Sequence, residues 1–274
     1  MRLSRTIPFL LFLGLPLGCE ENTDSLDLPY RERLVIEGII VPGPLRGAVR
    51  VARTFPLTAN NQVIEGTVLD ALVFLRYGDT TRQLHLNRER SLYDNDSIIV
   101  TAGNTYTLLV DWNGKHAQAT TRVPSPPLMD TVYVARRNMN DSVLYTAEAL
   151  LNPRADEAYD ASWIFHTLTS GGRDSAIYLD FSQAPLVAED AAADGRIHFL
   201  FAFRTTSVVH DTLQFNCTSF DRAYYDFYIS RGDPEFSGVP TYSYFEGPVR
   251  WNVQGEGVGL FYGASNSHLK VPLP

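Results

Sequence analysis

Thr105-Tyr106-Thr107-Leu108-Leu109-Val110-Asp111, followed by Asn113-Gly114 and then by residues 116–123, is the stretch that decides the fold. Asn-Gly between two runs of strand length marks a hairpin, because a type I′ turn needs positive φ at both central positions. Tyr106, Leu108 and Val110 then face one way and Thr105 and Thr107 the other. Outward from this hairpin, runs of similar length recur at 34–41, 48–54, 69–77 and 83–87 before it. After it they recur at 131–135, 142–150, 160–169, 176–181, 196–204 and 212–218. Turn residues separate them and helical periodicity is almost absent, so the chain reads as all-β.

The strands of residues 33–123 have the number and spacing of one β-sandwich, immunoglobulin- or transthyretin-like. Val123-Pro124-Ser125-Pro126-Pro127 follows at once, and prolines so close together do not sit in a paired central strand. Residues 124–130 therefore read as a Pro-rich linker and 131–274 as a second β-rich domain, giving two β-sandwich-like domains. In the second, Ile197, Phe199, Phe201 and Phe203 alternate with Arg196, His198 and Arg204, the pattern of a sheet with one buried face. Residues 182–195 read as a long loop. One helix is expected over 220–230, with Ser219 as N-cap and Asp221 in the first turn, where the helix dipole favours a negative charge. Phe220, Tyr224, Phe227 and Tyr228 form one stripe on it, which reads as core before it reads as a ligand platform.

The N-terminus carries an export signal. Arg2 and Arg5 are followed by an apolar run over 7–17, too short to span a bilayer, and Leu17-Gly18-Cys19 reads as a lipobox. Residues 1–18 would be removed, leaving Cys19 to carry acyl chains into the membrane; the alternative to this lipoprotein reading is an ordinary secretory leader with a chance cysteine. Glu20, Glu21 and Asp24, within an acidic stretch over 19–32, read as a surface-export tag or as a solvated tether.

Composition narrows the partners. The formal net charge is −8 and no run of Lys or Arg interrupts it, which argues against nucleic acid and anionic headgroups. With Cys19 acylated, Cys217 has no intramolecular partner; its alternation with Leu213 and Phe215 makes it a buried, inert thiol. His85, His116, His166, His198, His210 and His268 are scattered without zinc-ligand spacing, so neither a metal nor another cofactor is expected. Asp94-Asn95-Asp96 lacks the rest of a calcium loop and reads as a turn. Gly255-Glu256-Gly257-Val258-Gly259 is followed by too few residues to build a phosphate-binding helix, and reads as a tight turn closing the last strands. No motif marks a catalytic residue, so an enzyme is not expected.

Two patterns are left over. Asp followed by Ser or Thr and a small apolar residue or Thr recurs with its hydroxyl at Ser25, Thr80, Ser97, Thr131, Ser142, Ser175 and Thr212. This resembles an O-glycosylation signal of exported proteins, and equally suits turns that lead into strands; both readings put the hydroxyls near solvent. Phe236, Tyr242, Tyr244 and Phe245 lie in polar loop sequence, as partner contacts or as packing for the nearby helix.

The order of these features resembles the Bacteroidota lipoprotein family catalogued as domain of unknown function 4249. The matching positions are Cys19 with its acidic tail, Leu34-Val35-Ile36-Glu37-Gly38, residues 103–110, Ala119-Thr120-Thr121-Arg122-Val123-Pro124, the Tyr224-Tyr225-Asp226-Phe227-Tyr228 helix and the glycine-rich segment 252–261. The chain departs from the family pattern at Pro16 and over 156–160. The resemblance implies a β-rich outer-membrane lipoprotein, on its periplasmic or cell-surface face, acting as an accessory or binding module beside a TonB-dependent receptor. It supplies no catalytic residues, and the small-molecule or glycan ligand is left open. The alternative from another class is a β-sandwich hydrolase acting on glycans or peptides.

Overall fold

The computed structural model describes residues 30–56, 66–168, 174–179, 186–188, 194–205, 212–231 and 248–274. The chain divides into Met1–Arg31, of which only Tyr30 and Arg31 are described, and Glu32–Pro274. Among its described residues the second unit is all-β with one short helix.

Its first half holds β1 (Leu34–Ile40), β2 (Gly43–Arg53), β3 (Leu72–Tyr77), β4 (Thr80–Asn87), β5 (Leu92–Val100), β6 (Thr105–Trp112) and β7 (Lys115–Arg122). The second half holds β8 (Leu128–Asn138), β9 (Val143–Asn152), β10 (Glu157–Leu168), β11 (Asp174–Leu179), β12 (Val187–Ala188), β13 (Ile197–Thr205), β14 (Thr212–Asp221), α1 (Arg222–Arg231), β15 (Gln254–Gly255) and β16 (Gly257–Pro272). The β6–β7 hairpin turns on Asn113 at φ 47° and Gly114 at φ 73°, as a type I′ turn requires.

One large sheet runs β11-β10-β14-β16-β1-β2-β5-β4-β3-β6-β7-β15, with β12 added beside β10. Only Glu256 separates β15 from β16. Its N–H donates to His116 O at 2.8 Å and its carbonyl accepts the Leu34 N–H at 3.0 Å, so the path from β16 round to β15 returns to its start. The expected glycine turn is this corner: Gly255 takes φ 85°, and a Cβ there would lie 2.5 Å from His116 O. The path encloses a core of alternate strand residues, including Leu34, Ile36, Val51, Val73, Leu108 and Phe261.

A second core lies between the β10, β14 and β16 end of that sheet and a separate sheet of order β13-β9-β8. Phe199, Phe201, Trp163, Phe165 and Phe215 interlock there, Trp163 and Phe215 with ring centroids 4.6 Å apart. Both halves use the same corner. Tyr106 Oη accepts the Thr101 N–H and Tyr159 Oη the Arg154 N–H, each at 2.8 Å and five residues upstream, the tyrosine-corner device of β-sandwiches.

β16 joins the halves. Its first residues pair in parallel with β1, Leu34 opposite Gly257 through Ile40 opposite Gly263, and from Ala264 onward it pairs antiparallel with β14. The Pro-rich stretch also differs from a free linker. Pro124 O accepts the Ser265 hydroxyl at 2.6 Å, Ser125 O accepts the Ser219 hydroxyl and the Arg154 guanidinium at 3.0 Å each, and β8 already begins at Leu128.

Three local expectations are corrected. Asp94-Asn95-Asp96 is not a turn between strands but lies inside β5; Asn95 Oδ1 accepts the Ser97 N–H at 3.1 Å, so the turn chemistry is spent on an irregularity in the β2–β5 ladder. The loop over 182–195 contains β12, which pairs with Ala158 and Tyr159. The helix begins two residues later than expected. Ser219 and Phe220 remain in β14, paired on both sides with β10 and β16, because two ladders of backbone bonds outweigh one cap. Asp221 caps instead, its Oδ1 accepting the Ala223 N–H at 3.1 Å.

Candidate functional site

Alternation within β1 sends Leu34, Ile36 and Ile40 into the first core and leaves Val35, Glu37 and Ile39 on the outer face. Parallel register sets Val258, Leu260 and Tyr262 of β16 beside them. Onto this face packs α1. Phe220 stacks on Tyr224 with centroids 4.2 Å apart, and Tyr224 meets Tyr228 and Tyr262 at 4.6 Å each, around buried Leu260 and Ala264. The aromatic stripe is thus core along one edge. Along the other, Phe227 and Tyr228 stay half-buried and form a wall.

Between that wall and β1 lies an open groove of about 660 Å³. Its floor is Val35, Ile39, Val258 and Leu260; Leu92 and Trp251 also line it, Trp251 with 44% of its surface exposed. The residues on both sides of Trp251 are anchored by hydrogen bonds. Asn252 donates to Phe261 O at 2.6 Å and accepts the Phe261 N–H at 3.0 Å, while the Arg250 N–H donates to Ser230 Oγ at 2.8 Å at the end of α1.

Three charges border the groove. Arg231, in the last turn of α1 where the dipole favours a cation, sits 5.3 Å from the Phe227 ring centroid and 5.6 Å from that of Tyr228. Glu37 and Arg50 are cross-strand partners on β1 and β2; their nearest charged atoms are 3.8 Å apart, and side-chain exposures of 66% and 50% leave both facing water. Burial, with Tyr228 as a smaller contribution, pushes the Tyr262 hydroxyl up to about 12, so it is neutral near pH 7. Apolar rings with a few convergent polar groups are what a small-molecule site requires.

None of the described residues singled out from sequence as candidate sites lines this groove. Cys19, Glu20, Glu21, Asp24, Ser25, Phe236, Tyr242, Tyr244 and Phe245 fall outside the described residues. Thr80 opens β4, Thr131 lies in β8, Ser175 is in β11 and Thr212 opens β14. Ser97 is exposed in β5 and donates to Asn95 Oδ1 at 2.6 Å. Ser142 departs from the near-solvent expectation: it is buried, donates to Asp141 at 3.2 Å and accepts from Arg204 Nε at 2.7 Å, because the β9–β13 ladder carries Arg204 over it. Cys217 is buried, and burial pushes its thiol far up. Among the described residues no group of three His, Cys, Asp or Glu could hold a metal ion.

Sequence reading took Phe227 and Tyr228 as part of a core stripe rather than as a groove wall, and missed Glu37, Arg50 and Trp251 as site residues. The available signal was the outward half of the β1 alternation; nothing local joined it to residue 251. The family described as Domain of unknown function (DUF4249) matches residues 21–268 of the chain. No curated protein matches it.

Proposed function

The chain belongs to the DUF4249 family, and on that premise we propose that it is a lipid-anchored accessory module of the outer membrane that binds a ligand or partner in the groove between α1 and β1. The observation that carries this reading is the exposed Trp251 lining an apolar floor, between neighbours Arg250 and Asn252 that are hydrogen-bonded to Ser230 and Phe261. A rigid, exposed aromatic beside half-buried rings supplies contact area with little side-chain ordering on binding. Anchoring rests on Cys19 after the short apolar leader, and the acidic balance of the chain suits a protein whose membrane contact is its lipid rather than its surface charge. The partner in this reading is a TonB-dependent receptor.

The tagged lipoprotein, purified from its native membranes, should bring the receptor with it. Cys19→Ala should leave the membrane fraction or remain unprocessed. Trp251→Ala with Tyr228→Ala should fold and reach the membrane, yet lose the co-purifying receptor or the bound ligand. Full retention of every co-purifying component by that double variant would overturn the groove as the site.

A further inference from the structure

Resting on the groove as a binding site, we infer that its ligand is a neutral oligosaccharide. Glu37 and Arg50 carry the inference. A carboxylate only accepts hydrogen bonds and a guanidinium only donates them. Here the two stand side by side at 3.8 Å, beyond hydrogen-bond length, both exposed. A sugar hydroxyl donates and accepts at once, so one hydroxyl, or two on neighbouring carbons, satisfies Glu37 and Arg50 together. The charges of this pair cancel, and Arg231, the third charge at the groove, lies over the Phe227 and Tyr228 rings, so the pair itself offers hydrogen bonds without selecting an ion.

The rest of the groove fits the other half of a sugar's chemistry. A pyranose ring presents C–H groups on its faces, and the exposed indole of Trp251 is a flat apolar platform for them. Ile39 lines both this groove and a smaller one of about 290 Å³ that runs past Val41, Pro42 and Pro126. The first of these, at about 660 Å³, has room for more than one sugar ring. An acyl chain lying there would strip water from Glu37 and Arg50 without replacing their hydrogen bonds, a cost that hydroxyls avoid.

The test uses the full-length lipoprotein in a sugar-free detergent, titrated with linear hexasaccharides of glucose, xylose, mannose and N-acetylglucosamine. Decanoate and an uncharged apolar hexapeptide serve as the other two probes. Binding is read by calorimetry and by tryptophan emission. At least one hexasaccharide should bind and shift the emission; Trp251→Ala and Glu37→Leu should each weaken it about tenfold at unchanged melting temperature, and Trp251→Phe should retain most of it. Decanoate or the peptide binding alone would overturn the carbohydrate inference and leave the groove reading intact. So would silence from every probe while the Trp251 and Tyr228 variant still loses its co-purifying partner. Silence together with full partner retention by that variant would overturn both.

Discussion

Asp221 Oδ2 accepts the backbone N–H of Arg122 at 2.9 Å across 99 residues of chain, and the same oxygen takes the hydroxyl of buried Thr121. The other carboxylate oxygen caps α1 through the Ala223 N–H. One side chain therefore ties the last strand of the first core to the last residue of β14 and sets where the groove's helix begins. Asp221→Ala removes a cap and two charge-assisted hydrogen bonds and should cost roughly 3 kcal/mol in urea unfolding. Asp221→Asn, which can still cap, should cost about half as much. A loss under about 0.5 kcal/mol for the alanine variant would show that the joint is redundant.

Gly259 sits in the parallel β1–β16 ladder opposite Ile36, at φ 122°, and a Cβ on it would collide with the Ile36 carbonyl oxygen. Backbone, not a movable side chain, is in the way. Gly259→Ala should destabilise the chain by roughly 3 kcal/mol or more and disturb the groove floor, with a lowered melting temperature and altered Trp251 emission. A variant with the wild-type melting temperature would mean that this ladder is looser than its register implies.

Glu32 links β2 to β7, accepting from Arg53 and from Lys115 at 2.9 Å each. Hydrogen bonds from Lys115 and then Arg53 hold its carboxyl below the ordinary value of 4.5. The folded state binds this proton less readily than the unfolded chain, so the contribution is complete above the unfolded value and is lost as pH falls through the folded one. Relative to Glu32→Gln, the wild type should gain about 1 kcal/mol at neutral pH, shrinking toward zero as the solution is acidified below about pH 4. An advantage independent of pH would assign the effect to packing.

Cys217 points into the second core beside Leu213 and Phe215, and burial holds its thiol in the neutral form. Thiolate is the reactive species, so a disulfide reagent at pH 8 should leave Cys217 unmodified in the native protein and label it in urea. Labelling in the native protein at the rate of a free thiol would mean that this core opens readily.

The β-rich character was legible from alternation alone: Ile197, Phe199 and Phe201 point inward in β13 as their spacing requires. Other features went unread because their cause is distant in sequence. The run Asp94-Asn95-Asp96-Ser97 hides β5, since the apolar signal lies only at its ends, in Leu92, Tyr93, Ile98 and Val100. Ser219 has a good capping side chain, yet that side chain donates to Ser125 O and Ser265 O, two carbonyls that no local window brings near.

Short-range stereochemistry settled what the sequence by itself determined. Only residues tolerant of positive φ can make the turn at Asn113 and Gly114, and only period-two burial explains the alternating faces of β6 and β13. Tertiary structure alone decided the pairing of β1 with β16, and with it the groove. Glu37, Arg50, Phe227 and Trp251 meet there only because two strands more than two hundred residues apart share backbone hydrogen bonds, which carry no side-chain signature.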